Sequence, residues 1–179
     1  MGLGKTLSMI SLIACQKENQ PILPSESDIN DPNGGTLIIC PSGVLGQWEQ
    51  EIRKHSVSLS VAVYYGAVKK RKEMHLTLHT YDIVLTSYGI RIILTKYISP
   101  VNVKNDKTQS ILVRITFFRV ILDEAHVIRN PSTKVSNAVS KLQTSHRWAV
   151  TGTPVQNREL FLYPIIRFLR VLPFNKQAV

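Results

Sequence analysis

The sequence predicts an α/β fold, a mostly parallel sheet with helices on both faces. Three observations carry that expectation. Short apolar runs such as Thr36–Cys40 (TLIIC), Asp82–Thr86 (DIVLT) and Arg119–Leu122 (RVIL) alternate with stretches of helical period. Such runs suit strands buried on both sides between helical layers. Glycine, lysine and threonine stand together at the head of the first helical stretch, in Gly2-Leu3-Gly4-Lys5-Thr6. Two carboxylates, Asp123 and Glu124, close the Arg119–Leu122 run, a place where charge is costly unless a cation or a polar network uses it.

Taken in order, Thr6–Lys17 reads as a helix, with Leu7, Ile10, Ser11 and Ala14 on one face and no breaker between them. Residues 18–35 hold three prolines and two glycines among Asp, Asn and Ser, without hydrophobic period, and read as a surface loop. The strand Thr36–Cys40 follows. Val44–Lys54 reads as a helix with Leu45, Trp48 and Ile52 on one stripe. Leu59–Tyr65 is a strand ended by Gly66, Val68–Leu78 a basic helical stretch, and Asp82–Thr86 the next strand. The polar residues 97–110 read as an insertion or long loop. Strand Arg119–Leu122 leads into Asp123-Glu124-Ala125-His126. Pro131–Leu142 reads as a helix with proline in its first turn. Arg147–Val150 is a strand leading into Thr151-Gly152-Thr153-Pro154, and Asn157–Arg170 a final helix with Pro164 inside it. There is no internal repeat.

Composition bounds the function. The chain has 179 residues, which suits one domain able to bury roughly 70% of its unfolded surface. With 44% hydrophobic and 19% charged residues, disorder is not the default. The net charge of +10 favours polyanionic partners, chiefly nucleic acid, although many basic proteins bind none. Cys15 and Cys40 form no CxxC pair and make no disulfide framework. Both sit in apolar runs and are expected as buried, reduced thiols, which suits the cytosol or nucleus. No apolar run approaches the ~18–20 residues of a membrane span, so no membrane partner is expected.

The chemistry lies in three motifs. In Gly2–Thr6 the glycines let backbone N–H groups curl around phosphate oxygens, Lys5 supplies positive charge, Thr6 offers a hydroxyl to Mg²⁺, and a helix starts there with its positive end toward the anion. The alternative is a plain glycine-rich helix entry. In the second motif Asp123 would hold Mg²⁺ through water and Glu124 would orient and deprotonate the attacking water. A strand ending in solvated acids is the plainer reading. In the third, the Thr151-Gly152-Thr153-Pro154 turn follows an apolar strand, and open α/β sheets place ligand sites at the carboxyl ends of their strands.

The phrases MGLGKT, LIICPSGVLGQW, DIVLTSY, VILDEAHVIRN and WAVTGTPVQN, in this order, resemble successive motifs of the Swi/Snf branch of helicase superfamily two. The resemblance runs from Met1 to about Phe174. GTLIICP, VYYG, RVILDEAH, RWAVTGTP and FLRVLPF are similar to the lodestar group, which includes transcription termination factor 2. Helicase-like transcription factor is a second subgroup of similar sequence. The resemblance implies a RecA-like ATP-binding lobe spanning residues 1–179, with its phosphate loop at 1–6, its Walker B motif at 119–126 and a coupling motif at 151–157. It implies ATP at Gly2, Gly4, Lys5 and Thr6, Mg²⁺ at Thr6 and Asp123, and catalytic roles for Lys5, Asp123 and Glu124. His126, Thr151, Gly152 and Thr153 would couple the nucleotide site to double-stranded DNA. Pro41, Ser42, Thr86 and Ser87 match positions that touch the DNA backbone in this family. Nuclear location, chromatin remodelling, and release of RNA polymerase II in transcription termination are what such a resemblance implies.

The sequence departs from the family in three places. The strand and Asp-Glu pair that precede MGLGKT in the family are missing, and so is any second lobe carrying arginines that complete the ATP site. Pro164 stands where the family has a helical, non-proline residue, and an interior proline costs ~3 kcal/mol or more. On these grounds a non-catalytic DNA- or partner-binding module stays open as an alternative, and an RNA helicase lobe is a third, weaker reading. Thr-Gly-Thr-Pro in place of Ser-Ala-Thr argues against the latter. Three smaller expectations complete the reading. Lys69-Lys70-Arg71-Lys72 is a solvated helix face, a DNA contact or a nuclear import signal. His75 and His79 lack a third zinc ligand. Trp48 and Trp148 are core residues rather than stacking platforms.

Overall fold

The computed structural model describes residues 4–19, 34–89, 110–152 and 162–173. The order of elements is α1 (Lys5–Asn19), β1 (Gly34–Cys40), α2 (Leu45–His55), β2 (Val61–Val63), α3 (Val68–Glu73), β3 (Ile83–Ser87), α4 (Ile111–Arg114), β4 (Phe117–Asp123), α5 (Lys134–Ser140), β5 (Thr144–Val150) and α6 (Tyr163–Leu169). The five strands form one sheet in the order β2-β3-β1-β4-β5. Every pairing is parallel: β1 lies against β3 and β4, with Ile39 opposite Thr86 on one side and Leu122 on the other.

Successive residues of the central strands face opposite layers, as the period of two requires. Ile38, Cys40, Ile83, Leu85 and Ile121 pack against Ile10 and Ile13 of α1 and Leu45, Trp48 and Ile52 of α2. Leu37, Ile39, Val84, Val120 and Leu122 pack on the other face with Ala138 and Val139 of α5 and Phe168 of α6. Each such side chain stabilises the fold by ~1.5–3 kcal/mol when fully buried. At the amino end of β1 the backbone passes so close to its neighbour that only glycine fits. A Cβ on Gly35 would stand 2.3 Å from the Asp82 carbonyl oxygen.

Several boundaries differ from expectation. Both ends of the loop expected over 18–35 belong to other elements, since α1 runs to Asn19 and β1 begins at Gly34. Residues 20–33 lie outside the described residues, as does the 97–110 insertion except for Ser110. The helix expected from Pro131 begins at Lys134. Its N-cap is Thr133, whose side chain accepts a hydrogen bond from the Ser136 N–H, so the hydroxyl rather than the proline sets the start. The final helix begins at Tyr163, which places Pro164 in its first turn. There its missing N–H costs nothing and its fixed φ suits the helix, so the cost expected of an interior proline does not arise. Residues 153–161 lie outside the described residues.

Cys40 is buried as expected, but Cys15 is exposed, because it lies off the Ile10–Ile13 face of α1. Trp148 is likewise more exposed than expected, at 39%, on edge strand β5. Tyr64 Oη pairs with His75 Nε2 at 3.1 Å. Among the described residues no group of three His, Cys, Asp or Glu is placed to hold a metal ion, and no helix is long and apolar enough to cross a membrane.

Candidate nucleotide site

All five strands run the same way, so their carboxyl ends share one edge. After β1 the chain turns toward β2, and after β4 it turns the opposite way toward β5. The crevice between these two strand ends is the switch point where open α/β sheets bind ligands. Asp123 and Glu124 stand there at the end of β4, Thr151 and Gly152 at the end of β5, and Pro41 and Ser42 just past β1.

Lys5, the first residue of α1, joins this group. Its Nζ lies 3.8 Å from Glu124 Oε1, and both side chains are partly open to solvent. Gly4 precedes it at φ +66, a left-handed conformation that glycine adopts without strain. The Gly4 carbonyl accepts from the Ser8 N–H at 2.9 Å. The α1 N-terminus, the end of a helix that suits an anion, thus stands beside the carboxylates. Gly152 borders the same space, where a Cβ would come 2.9 Å from Lys5 Nζ. Thr6, in the first turn of α1, is partly buried. Gly2 and Thr153 lie outside the described residues.

Glu124 adopts φ 51, ψ 51, uncommon for a non-glycine residue and a reservoir of ~1–3 kcal/mol of strain. That turn brings its carboxylate back toward Lys5. Glu124 Oε2 accepts from His126 Nδ1 at 3.1 Å, and the same nitrogen lies 3.4 Å from Thr151 Oγ1. Lys5, Glu124, His126 and Thr151 thus form one chain of polar contacts across β4 and β5.

Asp123 is held from three sides. Its Oδ1 accepts from the Glu124 N–H at 3.0 Å and its Oδ2 from Trp48 Nε1 at 2.8 Å. Its main-chain carbonyl accepts from Tyr88 Oη at 2.8 Å. A carboxylate has about four acceptor positions, so capacity remains after the two side-chain bonds. Hard oxygen donors with spare lone pairs beside a helix N-terminus suit Mg²⁺ on a phosphate. Burial, reinforced by the Asp123 charge, pushes the neighbouring Cys40 thiol up to about 12, so it stays protonated and adds no competing anion.

The four residues matched to DNA contacts divide into two pairs. Ser42 is exposed and Pro41 partly so, at the short 3₁₀ turn that enters α2. Thr86 and Ser87 are buried at 0% and 1% exposure. Thr86 Oγ1 donates to the Tyr64 carbonyl at 3.0 Å. Their side chains lie inside the sheet at the end of β3. The sequence reading also missed Trp48 and Tyr88 as partners of Asp123. The available signal was Trp48 on a buried stripe, since a buried indole N–H needs an acceptor.

A lysine at a helix N-terminus, paired carboxylates at one strand end and a glycine turn at the next share the carboxyl edge of a RecA-like parallel sheet. The chain belongs to the SNF2-related domain family, whose profile matches residues 1–179. It is 36% identical over 98% of its length to transcription termination factor 2 of Drosophila melanogaster and 37% identical over 98% to DNA repair protein rad5 of Aspergillus fumigatus. It spans 18% and 15% of those two proteins. Its fold matches the SWI2/SNF2 ATPase core of Sulfolobus solfataricus solved in complex with double-stranded DNA, with a TM-score of 0.70 and 31% identity. That match covers 94% of this chain and 30% of the other.

Proposed function

We propose that this chain is the first ATP-binding lobe of a double-stranded-DNA-dependent ATPase that couples hydrolysis to the remodelling of protein–DNA complexes. The observation that carries the reading is the meeting of Lys5, Glu124 and Gly152 at the α1 N-terminus. Lys5 holds the terminal phosphates of ATP, with Gly2, Gly4 and Thr6 around them. Thr6 and Asp123 hold Mg²⁺, which when bound neutralises charge on the phosphate oxygens. Glu124 orients the attacking water and takes its proton, a role worth ~10²–10⁴-fold. His126 ties Glu124 to Thr151, and with Gly152 and Thr153 this turn relays nucleotide state toward DNA.

Pro41 and Ser42 form the DNA-facing edge, supported by their exposure at a helix entry, where N–H and hydroxyl groups suit phosphate. Thr86 and Ser87 support that edge from inside the sheet. A second lobe supplies arginines from across the cleft, and the work is done in the nucleus. Release of RNA polymerase II and remodelling of stalled forks are two forms of it. The first is supported by likeness to a transcription termination factor and the second by likeness to DNA repair proteins.

The deciding experiment compares wild type with Glu124→Gln, alone and with a second lobe supplied, with duplex DNA or RNA at matched salt. Hydrolysis stimulated by duplex DNA and abolished by the substitution is expected. An unchanged rate would point to a binding module, and stimulation by RNA alone would overturn the DNA assignment.

A further inference from the structure

We propose that Trp48 is a positioning residue, fixing the orientation in which the Asp123 carboxylate meets the hydrated divalent cation of a bound nucleotide. The inference rests on the Mg·ATP reading above and adds a residue to it.

Trp48 is 4% exposed. Its ring is set in the apolar cluster with Ile38, Cys40, Leu45 and Ile121. Its one polar atom is a donor that cannot accept, and that donor lies 2.8 Å from Asp123 Oδ2. An indole has only two side-chain torsions, and packing on this face of the sheet restricts both. The N–H is therefore a fixed point in space. If Asp123 rotated away, a buried donor would be orphaned, at the full cost of its desolvation. The Glu124 N–H on Oδ1 and Tyr88 Oη on the Asp123 carbonyl pin the same residue from other directions.

The choice of donor has a consequence. A lysine or arginine in the place of Trp48 would also orient Asp123 but would cancel its charge. A neutral indole orients the carboxylate and leaves its full negative charge for the cation. Ordering the carboxylate before binding removes that entropic cost from the binding step. Outer partners of metal-facing groups typically change metal affinity by ~10–100-fold when removed. The arrangement also joins α2, which starts beside the exposed Ser42, to the metal-facing carboxylate through a single hydrogen bond.

The test uses the full chain and a fluorescent ATP analogue, titrated with Mg²⁺ and separately in EDTA. Trp48→Phe keeps a buried ring and deletes the donor. It should raise the Mg²⁺ concentration for half-maximal binding by ~10-fold and leave metal-free binding unchanged. In Asp123→Asn the further loss of Trp48 should add nothing, because the two act as one unit. Equal Mg²⁺ dependence in Trp48→Phe and wild type overturns the proposal. So does an equal loss with and without metal, or additive effects in the double variant. If Trp48→Phe does not fold, the Nε1–H resonance of Trp48 is followed in Trp148→Phe protein. It should move on Asp123→Asn and on adding Mg·ATP, and a resonance that stays in place overturns the proposal. A wild type whose binding ignores Mg²⁺ overturns the Mg·ATP reading itself, and this inference with it.

Discussion

Lys5 Nζ and Glu124 Oε1 face each other across 3.8 Å, and a Cβ on Gly152, just past β5, would stand 2.9 Å from the first and 3.8 Å from the second. A methyl group on Gly152 would press on the free end of the Lys5 side chain, which can swing away. Gly152→Ala should therefore alter global stability by no more than ~0.5 kcal/mol. Its nucleotide affinity should fall about tenfold, a loss of ~1.4 kcal/mol. Equilibrium binding beside a thermal melt checks both, and an unchanged affinity would remove Gly152 from the site.

Gly35 is the contrasting case. The added Cβ would stand 2.3 Å from the Asp82 carbonyl oxygen and 2.5 Å from that of Tyr81, both main-chain atoms fixed in or beside β3. Gly35→Ala should cost ~1–3 kcal/mol or more. Urea unfolding would show a lower midpoint at an unchanged slope.

Asp82 ties α1 to the β2–β3 edge. Its Oδ2 accepts from Lys17 Nζ at 2.7 Å, the Ser60 N–H at 2.7 Å and Ser60 Oγ at 2.6 Å. Burial works to raise this carboxyl, but the Lys17 and Ser60 bonds outweigh it and hold it below its ordinary range. A depressed folded value means the stabilisation is complete above the unfolded value of about 3.9. It is lost as pH falls through the folded value. Asp82→Asn should cost ~1–3 kcal/mol at neutral pH. That difference should shrink toward zero as pH drops below about 4, measured by denaturant unfolding across pH. A difference independent of pH would sink the assignment.

The two cysteines should separate cleanly. Cys15 is exposed, while Cys40 is buried with its thiol pushed up to about 12. The thiolate is the reactive form, so iodoacetamide at pH ~8 should label only Cys15 in the native chain. Mass mapping of the labelled peptides checks this. Rapid native labelling of Cys40 would contradict its packing.

Thr133 offers a simpler test of local structure. Its Oγ1 accepts from the Ser136 N–H at 3.2 Å. Thr133→Ala should cost ~0.5–2 kcal/mol, read as a shift in the unfolding midpoint, and a stability equal to wild type would mean the cap is idle.

The repeating part of the fold was legible because its signal is local. TLIIC, DIVLT and RVIL are short with unbroken apolar centres, so they fit strands covered on both faces, and the stretches between them carry helical period. Element ends were less legible, since they depend on which donor closes a turn. Proline marked the start of α5 less well than Thr133, whose hydroxyl does the capping. Pro164 was misplaced because the sequence does not show where the last helix begins. One turn of difference converts an interior proline into a harmless first-turn residue.

Sequence by itself determined which charged and glycine residues stand together in motifs, because the spacing of Lys5, Asp123, Glu124 and Gly152 with glycine and apolar runs is local information. Tertiary structure alone decided which of them meet and what holds them. Trp48 and Asp123 are far apart in the chain and touch only because α2 packs over the strand beside β4. Thr86 and Ser87 are buried because they end β3, which has β1 alongside it. Burial and hydrogen-bond partnership are properties of neighbours in space, and a parallel sheet draws those neighbours from distant parts of the chain.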